Sequence, residues 1–375
     1  MKKRILIVGG GSGGHVYPLI AVAESLKQKA SEKGVELEVL ALGEGPFMQR
    51  AFRESGIPLR GIVSVKMRRY FDLRNIIDFL KFPLGFFQSL WHIFWFMPDA
   101  VLTKGGLSTL MPAFVAKLYF IPLYIHESDA IPGLANRVLG KIADKVFLSF
   151  EAAKKYFKAN KGVLMGNPVR KELFGKDKEM GLSAFGFNSS LPTILIVPGS
   201  QGARRINQAI LEVLVQLVNK FQVIHQCGES QYRGVRTEAD QLIKEGKGEY
   251  DILIQERYQP HPFFNTDQLS LAYAAADVVI SRAGAANIFE IAQLGKPVIL
   301  IPIEKSANDH QLANALELSK YGASVIEEPN LTSHIIINQL EFLLKPEHYK
   351  EISEKLKTFA TPQAADAIAE ALLMA

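Results

Sequence analysis

At 375 residues, 48% apolar and 22% charged, the chain is too long for one ordinary core and too apolar for a disordered polymer, so two globular domains are expected. Its single cysteine, Cys227, excludes a disulfide framework and any Cys-rich metal site, and points to a reducing cytoplasm. Net charge is only +5, but Lys66, Arg68, Arg69 and Arg74 cluster just ahead of the most aromatic stretch, a pattern that suits anionic lipid, and nothing resembles a nucleic-acid module.

Met1-Lys2-Lys3-Arg4 runs directly into Ile5-Leu6-Ile7-Val8, leaving no secretory leader ahead of the first strand, so the protein is expected to stay where it is made. Arg4 to Ile20 reads as a buried strand, a Gly-rich turn and a helix continuing to about Lys29. Gly9, Gly11 and Gly14 meet the G-x-G-x-x-G spacing. The dinucleotide reading also needs an acidic residue closing the second strand, whereas Glu36 to Leu42 ends in Leu42-Gly43. His15 sits on the first helical turn, where the dipole favours a neutral imidazole able to take a proton. A packed or capping histidine is the alternative, but the small residues around it offer little to pack on.

Ile76 to Met97 is rich in aromatics yet interrupted by Asp78, Lys81, Pro83 and Gly85, too broken for a spanning helix. It reads either as a core helix or as a patch entering a membrane interface. The half from Leu90 is expected to pack on the sheet, with Phe79, Phe82, Phe86 and Phe87 exposed. Asp99 to Lys104 is a strand entering the Gly105-Gly106 turn, with a helix from about Thr109, and Leu123 to Ile125 is a strand ending at His126-Glu127-Ser128-Asp129. In an open α/β sheet these strand ends, with His15, line one crevice.

After Gly166-Asn167-Pro168-Val169-Arg170 a polar stretch to Leu191 reads as a linker. Thr193 to Arg204 then repeats the opening, since Ile-Leu-Ile-Val recurs at 194–197 before another Gly-rich turn and helix. Ser200, Gln201 and Gly202 can cradle phosphate there, with Ser200 alternatively the N-cap. Phe221 to Gln226 and Asp251 to Gln255 read as strands, with Tyr258 just beyond the second.

Asp277 to Asn314 is the most informative stretch: a strand to Ile280, a turn at Ser281-Arg282-Ala283-Gly284, a helix from Ala285 to Leu294, a buried strand at Val298 to Ile301 and another helix from about Asp309. The turn aims free N–H groups and the positive helix end at a phosphate site. Glu290 can accept from two ribose hydroxyls, and Gln311 and Asn314, three apart, can read sugar hydroxyls. The bland alternative is an ordinary βαβ unit with a surface glutamate and a capped helix.

Taken in order, Gly10 to Pro18, Gly105-Gly106, His126-Glu127, Gly166 to Arg170, Gly199 to Arg204, Arg282 to Glu290 and Gln311 to Asn314 resemble the MurG family. Its members are UDP-N-acetylglucosamine transferases that add GlcNAc to undecaprenyl-pyrophosphoryl-MurNAc-pentapeptide in peptidoglycan synthesis. The resemblance implies an α/β GT-B fold, two Rossmann-like parallel-sheet domains facing across a cleft. Residues 1–168 would form the acceptor and membrane-binding domain, 169–345 the UDP-GlcNAc domain, and 346–375 C-terminal helices packing back on the first.

By the same resemblance uracil sits near Tyr258, ribose on Glu290, phosphates on Ser200 and the backbone of Ala285, Ala286 and Asn287, and GlcNAc on Gln311 and Asn314. Ser12, Gly13, Gly14, Asp129 and Arg170 complete the donor pocket. The acceptor pyrophosphate meets Gly11, Gly105 and Gly106, and its tail the aromatic patch. The implied partners are UDP-GlcNAc, the lipid-linked MurNAc-pentapeptide, an anionic membrane surface held peripherally at the cytoplasmic face, and cell-wall synthesis proteins. Ser12 in place of Thr, Asp129 in place of Asn and His310 in place of Gln depart from the family pattern and put the sugar contacts in doubt.

The implied chemistry is inverting attack of the MurNAc 4-hydroxyl on C1 of GlcNAc, with His15 as base and Asp129 as the alternative. The chain has no Asp-x-Asp, so no cofactor or obligatory metal is expected, with helix N-termini near Ser200 and Gly284 and Arg170 or Arg204 meeting the charge of departing UDP. Three rivals are a GT-B enzyme with another sugar or acceptor, a nicotinamide oxidoreductase lacking its ribose acid, and a non-catalytic scaffold binding nucleotide sugar.

Overall fold

The computed structural model describes residues 2–10, 13–63, 74–199, 202–245, 249–304 and 306–375, with side chains 74–80, 245, 249–251 and 307 outside the description. The chain divides into two compact units, residues 1–170 with 361–375, and residues 171–360.

The first unit runs β1 (Lys2–Val8), α1 (Gly13–Glu32), β2 (Glu36–Gly43), α2 (Pro46–Glu54), β3 (Leu59–Gly61), α3 (Arg74–Phe96), β4 (Ala100–Thr103), α4 (Leu110–Leu118), β5 (Leu123–Glu127), α5 (Leu134–Leu139), β6 (Lys145–Leu148) and β7 (Gly162–Leu164). Among the described residues these strands form one parallel sheet in the order 3-2-1-4-5-6-7. A parallel sheet covered on both faces needs strands apolar on both faces, and Ile5 to Val8 and Ala100 to Leu102 are fully buried. One layer of core packs α1 against Ile5 and Ile7, and the other packs α3 and α4 against Leu6 and Val8.

The second unit runs α6 (Lys178–Ala184), β8 (Thr193–Val197), α7 (Arg204–Glu212), α8 (Leu214–Lys220), β9 (Gln222–Gln226), α9 (Tyr232–Glu245), α10 (Glu249–Arg257), β10 (Tyr258–His261), α11 (Thr266–Ala275), β11 (Val278–Ser281), α12 (Ala285–Leu294), β12 (Val298–Leu300), α13 (His310–Ser319), β13 (Ser324–Val325), α14 (Ser333–Leu343) and α15 (Pro346–Phe359). Its parallel sheet has the order 10-9-8-11-12-13. The last helix, α16 (Ala364–Leu373), belongs to the first unit, where Ile368, Ala369 and Leu372 enter the α1 core and Lys29 pairs with Glu370.

Three expectations change. Asp251 to Gln255 is not a strand but part of helix α10, in which Ile254 is buried while Ile252 faces solvent; the edge strand beside β9 is β10, starting at Tyr258. The polar stretch before Leu191 is not a bare linker, because α6 lies against α11, where a side chain at Gly181 would meet Leu271 O at 2.6 Å and Ala275 N at 2.5 Å. The aromatic stretch does not divide into an exposed and a packed half. Helix α3 continues through Pro83 and carries two stripes, with Phe86, Leu90, Ile93 and Phe96 on the core, and Leu84, Phe87, Trp91, Phe94 and Trp95 in solvent. No helix among the described residues is long and apolar enough to cross a membrane.

Candidate active site

In both sheets the strand order reverses beside the first strand, between β1 and β4 and between β8 and β11, and ligands of open α/β sheets sit outside the carboxyl ends at that point. The sequence-selected residues fall mainly on these ends.

In the first unit β1 passes through Gly9 and Gly10 into α1, with Gly11 and Ser12 outside the described residues. His15 is half-buried on the first turn of α1, its Nδ1 3.3 Å from where a side chain at Gly10 would stand. Gly13 backs onto Phe47 and Tyr17, and Gly14 is exposed. The Arg170 guanidinium lies 4.1 Å over the Tyr17 ring, so a cation–π contact holds it two residues from His15 along α1. Ser108 Oγ donates to Gly9 O at 3.3 Å, joining the loop after β4 to the loop after β1.

Beneath these loops lies a buried chain of polar side chains, of which sequence reasoning singled out His126 and Glu127 but not Lys104 or Asn136. Gly105 and Gly106 both take positive φ, 75° and 85°, where glycine is at ease, and Gly105 rests against the Asn136 amide. Asn136 donates to Glu127 Oε2 at 2.9 Å and to His126 O at 3.2 Å. Glu127 also accepts from the N–H groups of Asp129 and Gly133, fixing the half-buried Asp129 in place. His126 Nε2 faces the carbonyl of Gly166, which can only accept, so Nε2 carries the proton and Nδ1 accepts from Lys104 Nζ at 2.7 Å.

Burial pulls the Lys104 ammonium down to about 7 against the opposing charges of Glu127 and Asp129. Burial, then the Asp129 charge, lifts the Glu127 carboxyl to about 7, opposed by its hydrogen bonds. Burial and Lys104 hold His126 well below its usual range, hence neutral. The one sequence signal for Lys104 is a lysine ending an otherwise apolar strand.

In the second unit β8 leads through Gly199 to Ser200 and Gln201, which lie outside the described residues, and on to Gly202. At Gly202, φ is 73° and a side chain would stand 2.1 Å from Cys227 O, so only glycine lets the turn close on β9. Asn207 donates to Cys227 O at 2.9 Å and accepts from His225 Nε2 at 3.0 Å, while His225 Nδ1 meets the Tyr258 hydroxyl at 2.8 Å. Tyr258 is 4% exposed and opens β10, paired with Val223 of β9. Gln226 Nε2 holds Gly199 O at 3.0 Å.

Helix α12 starts at Gly284 with no side-chain cap, leaving the N–H groups of Ala285, Ala286 and Asn287 for a ligand. The Asn287 amide donates to Ser281 Oγ at 2.9 Å, locking the helix start to β11. Arg282 is buried, donating to Ile301 O and Pro302 O and pairing with Glu328, so it braces the turn from below. Glu290 is buried, with the Tyr273 hydroxyl 3.5 Å from its Oε2. Gln311 Oε1 accepts from Ile303 N at 3.1 Å, and Asn314, fully buried, donates to Ala283 O at 3.2 Å beneath the turn. Among the described residues no group of three His, Cys, Asp or Glu side chains is placed to hold a metal.

In the expected membrane patch Phe87 is 65% exposed and Phe82 and Phe86 are half-buried, while the side chain of Phe79 and the basic residues Lys66, Arg68 and Arg69 lie outside the described set.

The model of the glycosyltransferase family 28 N-terminal domain matches residues 5–148, and that of the family 28 C-terminal domain residues 193–370. A UDP-N-acetylglucosamine–N-acetylmuramyl-(pentapeptide) pyrophosphoryl-undecaprenol N-acetylglucosamine transferase of Legionella pneumophila (strain Lens) is 36% identical over 371 residues, 98% of this chain and 96% of that protein. The enzyme of the same name from Clostridium novyi (strain NT) is 37% identical over 348 residues, 92% of this chain and 91% of that protein. The crystal structure of Acinetobacter baumannii MurG superposes with a TM-score of 0.75 at 25% identity, covering 100% of both chains. UDP-GlcNAc 2-epimerase from Neisseria meningitidis, bound to UDP-GlcNAc, shares the fold at TM-score 0.69 and 17% identity, covering 99% of this chain and 100% of that one. The two parallel sheets are those of the GT-B fold, and the chain belongs to the MurG family of family 28 glycosyltransferases.

Proposed function

We propose that the chain moves GlcNAc from UDP-GlcNAc to the 4-hydroxyl of undecaprenyl-pyrophosphoryl-MurNAc-pentapeptide, with inversion at C1. The observation that carries this reading is the 36% identity extending through 98% of the chain, across both sheets and their strand-end turns. The second unit takes the donor: its phosphates lie on the Gly199–Gly202 turn and the N–H groups at the start of α12, ribose on Glu290, the sugar at Gln311, and uracil against the backbone of β10. Asn314 acts from beneath, through Ala283.

The first unit takes the acceptor, with its pyrophosphate on the Gly105-Gly106 turn. His15 removes the 4-hydroxyl proton as C1 is attacked, a role worth about 10² to 10⁴ in rate. Asp129, held through its backbone by Glu127, is the second choice of base. Helix N-termini and Arg170 or Arg204 meet the charge gathering on UDP. Turnover is then expected to persist in chelator, and loss in chelator with recovery in Mg²⁺ would contradict it.

Exposed Trp91, Phe94 and Trp95 on α3 suit a bilayer interface, so the enzyme works peripherally at the cytoplasmic face of the plasma membrane beside other cell-wall synthesis proteins. The test is UDP release from UDP-GlcNAc with and without a short-chain lipid-linked MurNAc-pentapeptide, with UDP-GalNAc and a soluble sugar acceptor in parallel. Release dependent on the MurNAc lipid and on GlcNAc supports the assignment. Donor binding without release leaves the donor site standing and removes the acceptor.

A further inference from the structure

The buried lysine at the end of β4 has no part in the chemistry described above. Its Nζ lies 2.7 Å from His126 Nδ1 and 3.4 Å from Asn167 Oδ1, and His126 in turn meets Gly166 O at 3.1 Å and Ser149 Oγ at 3.4 Å. These residues stand at or just beyond the carboxyl ends of β4, β5, β6 and β7, four strands adjacent in the sheet. One polar chain therefore ties four strand ends together, starting one residue before the Gly105-Gly106 turn. A lysine 2% exposed is a poor choice for packing alone, because a methionine fills similar space without the cost of desolvating an amine.

We propose that Lys104 is a positioning residue for the anionic acceptor: its amino group, seated beneath the Gly105-Gly106 turn, holds the surrounding loops together and supplies positive charge to the pyrophosphate bound above. This rests on the reading that the first unit takes the acceptor. An anion on the turn favours the ammonium over the amine, so acceptor binding takes up a proton. Affinity is then fullest below pH about 7, where Lys104 is already charged, and is lost as pH rises through the higher value the bound complex sets. The charged groups acting on it are Glu127 and Asp129, both from the segment closing β5, and His126 is neutral. Ionisation of Glu127 in the same pH range repels the anion too, so the lysine has to be isolated by substitution.

The experiment compares wild type, Lys104→Met and Lys104→Arg from about pH 6 to about pH 9, recording acceptor KM, kcat and the UDP-GlcNAc Kd, with effects read at about tenfold per 1.4 kcal/mol. Lys104→Met is expected to raise acceptor KM about tenfold at the acid end and by clearly less at the alkaline end, where only the bonds to His126 and Asn167 are lost, with kcat and donor Kd moved less than about twofold. Lys104→Arg keeps the low KM into the alkaline range. A Met-to-wild-type ratio constant with pH, or equal losses in kcat and in donor affinity, overturns the proposal.

Because a variant can fail to fold, the wild type is also titrated by carbon-13 NMR at lysine Cε, with geranyl pyrophosphate as the probe. The Lys104 midpoint is expected to rise when the probe is added, and an unmoved midpoint overturns the proposal. If wild type does not turn over the MurNAc lipid at all, the functional reading has failed, while the pyrophosphate titration still reports on Lys104.

Discussion

The two sheets place their ligand loops at the same topological point but support them with different chemistry. Under the first unit's loops lie Lys104, His126 and Glu127, three titratable groups buried together. Under the second unit's loops lie mainly amides and hydroxyls, with Asn207, Gln226, Asn287, Asn314 and Ser281 each bonded to backbone or to a neighbouring side chain, and with His225, which burial pulls down to about 3 and so keeps neutral near pH 7. Of its buried charges, Arg282 pairs directly with Glu328, while Glu290 lies near the Tyr273 hydroxyl. The second arrangement fixes N–H groups and helix dipoles that do not change with pH. The first can change charge near neutrality, so the two substrates should respond differently to pH even though the folds beneath them match.

The largest effect expected is at the chemistry. His15→Ala should lower kcat by about 10² to 10⁴ while UDP-GlcNAc Kd changes little, as measured by steady-state kinetics and calorimetry. Equal losses in both would remove His15 from proton transfer. Next, Gly202→Ala should destabilise the second unit by roughly 1–3 kcal/mol or open its turn, since a methyl there meets Cys227 O in a left-handed backbone. Denaturant unfolding with and without UDP reads it, and an unchanged midpoint would show that the turn yields.

Glu127 provides the pH test. Its folded value, about 7, lies above its ordinary 4.5, so the stability it contributes is full below 4.5 and is lost as pH rises to about 7. Lys104 stays protonated in both folded and unfolded chains through most of that window. Glu127→Gln should therefore flatten the fall of the first unit's melting temperature there, a change of roughly 3–8 °C. A parallel decline in the variant would place the titration elsewhere.

Asn287→Ala should weaken UDP-GlcNAc binding about fivefold, the loss of roughly one hydrogen bond, and do so equally at every pH. A pH-dependent loss would show that the second site is not electrically fixed. Smallest, Trp91→Ser with Trp95→Ser should lower binding to phosphatidylglycerol vesicles about threefold or more without altering donor Kd. Unchanged co-sedimentation would separate the exposed stripe from the membrane.

The sheets were legible because buried parallel strands must be continuously apolar, as in Ile5 to Val8, Ile194 to Val197 and Val298 to Ile301. The same rule misled at Ile252-Leu253-Ile254, where three apolar residues lie in a helix and the true edge strand, Tyr-Gln-Pro-His, carries little apolar pattern. At α3, periodicity separated the two stripes, but Pro83 and Gly85 encouraged a division along the chain instead of around the helix. The loop residues His15, Gly105, Gly202 and Gly284 were readable from turn chemistry. What they rest on was less so, because Lys104 meets His126 and Asn167 in the first unit, and Asn207 meets His225 in the second, only when separate segments pack. Asn314 shows a related limit: its spacing from Gln311 suggested a sugar contact, and only the fold shows its amide donating to Ala283 O beneath the turn.

The measurement that bears most directly on this division of labour is hydrogen–deuterium exchange with and without UDP-GlcNAc. The donor is expected to slow exchange chiefly at the turns after β8 and β11, in Gly199–Arg204 and Gly284–Glu290. Protection confined to the Gly-rich loops of the first unit, with none after β8 and β11, would contradict it.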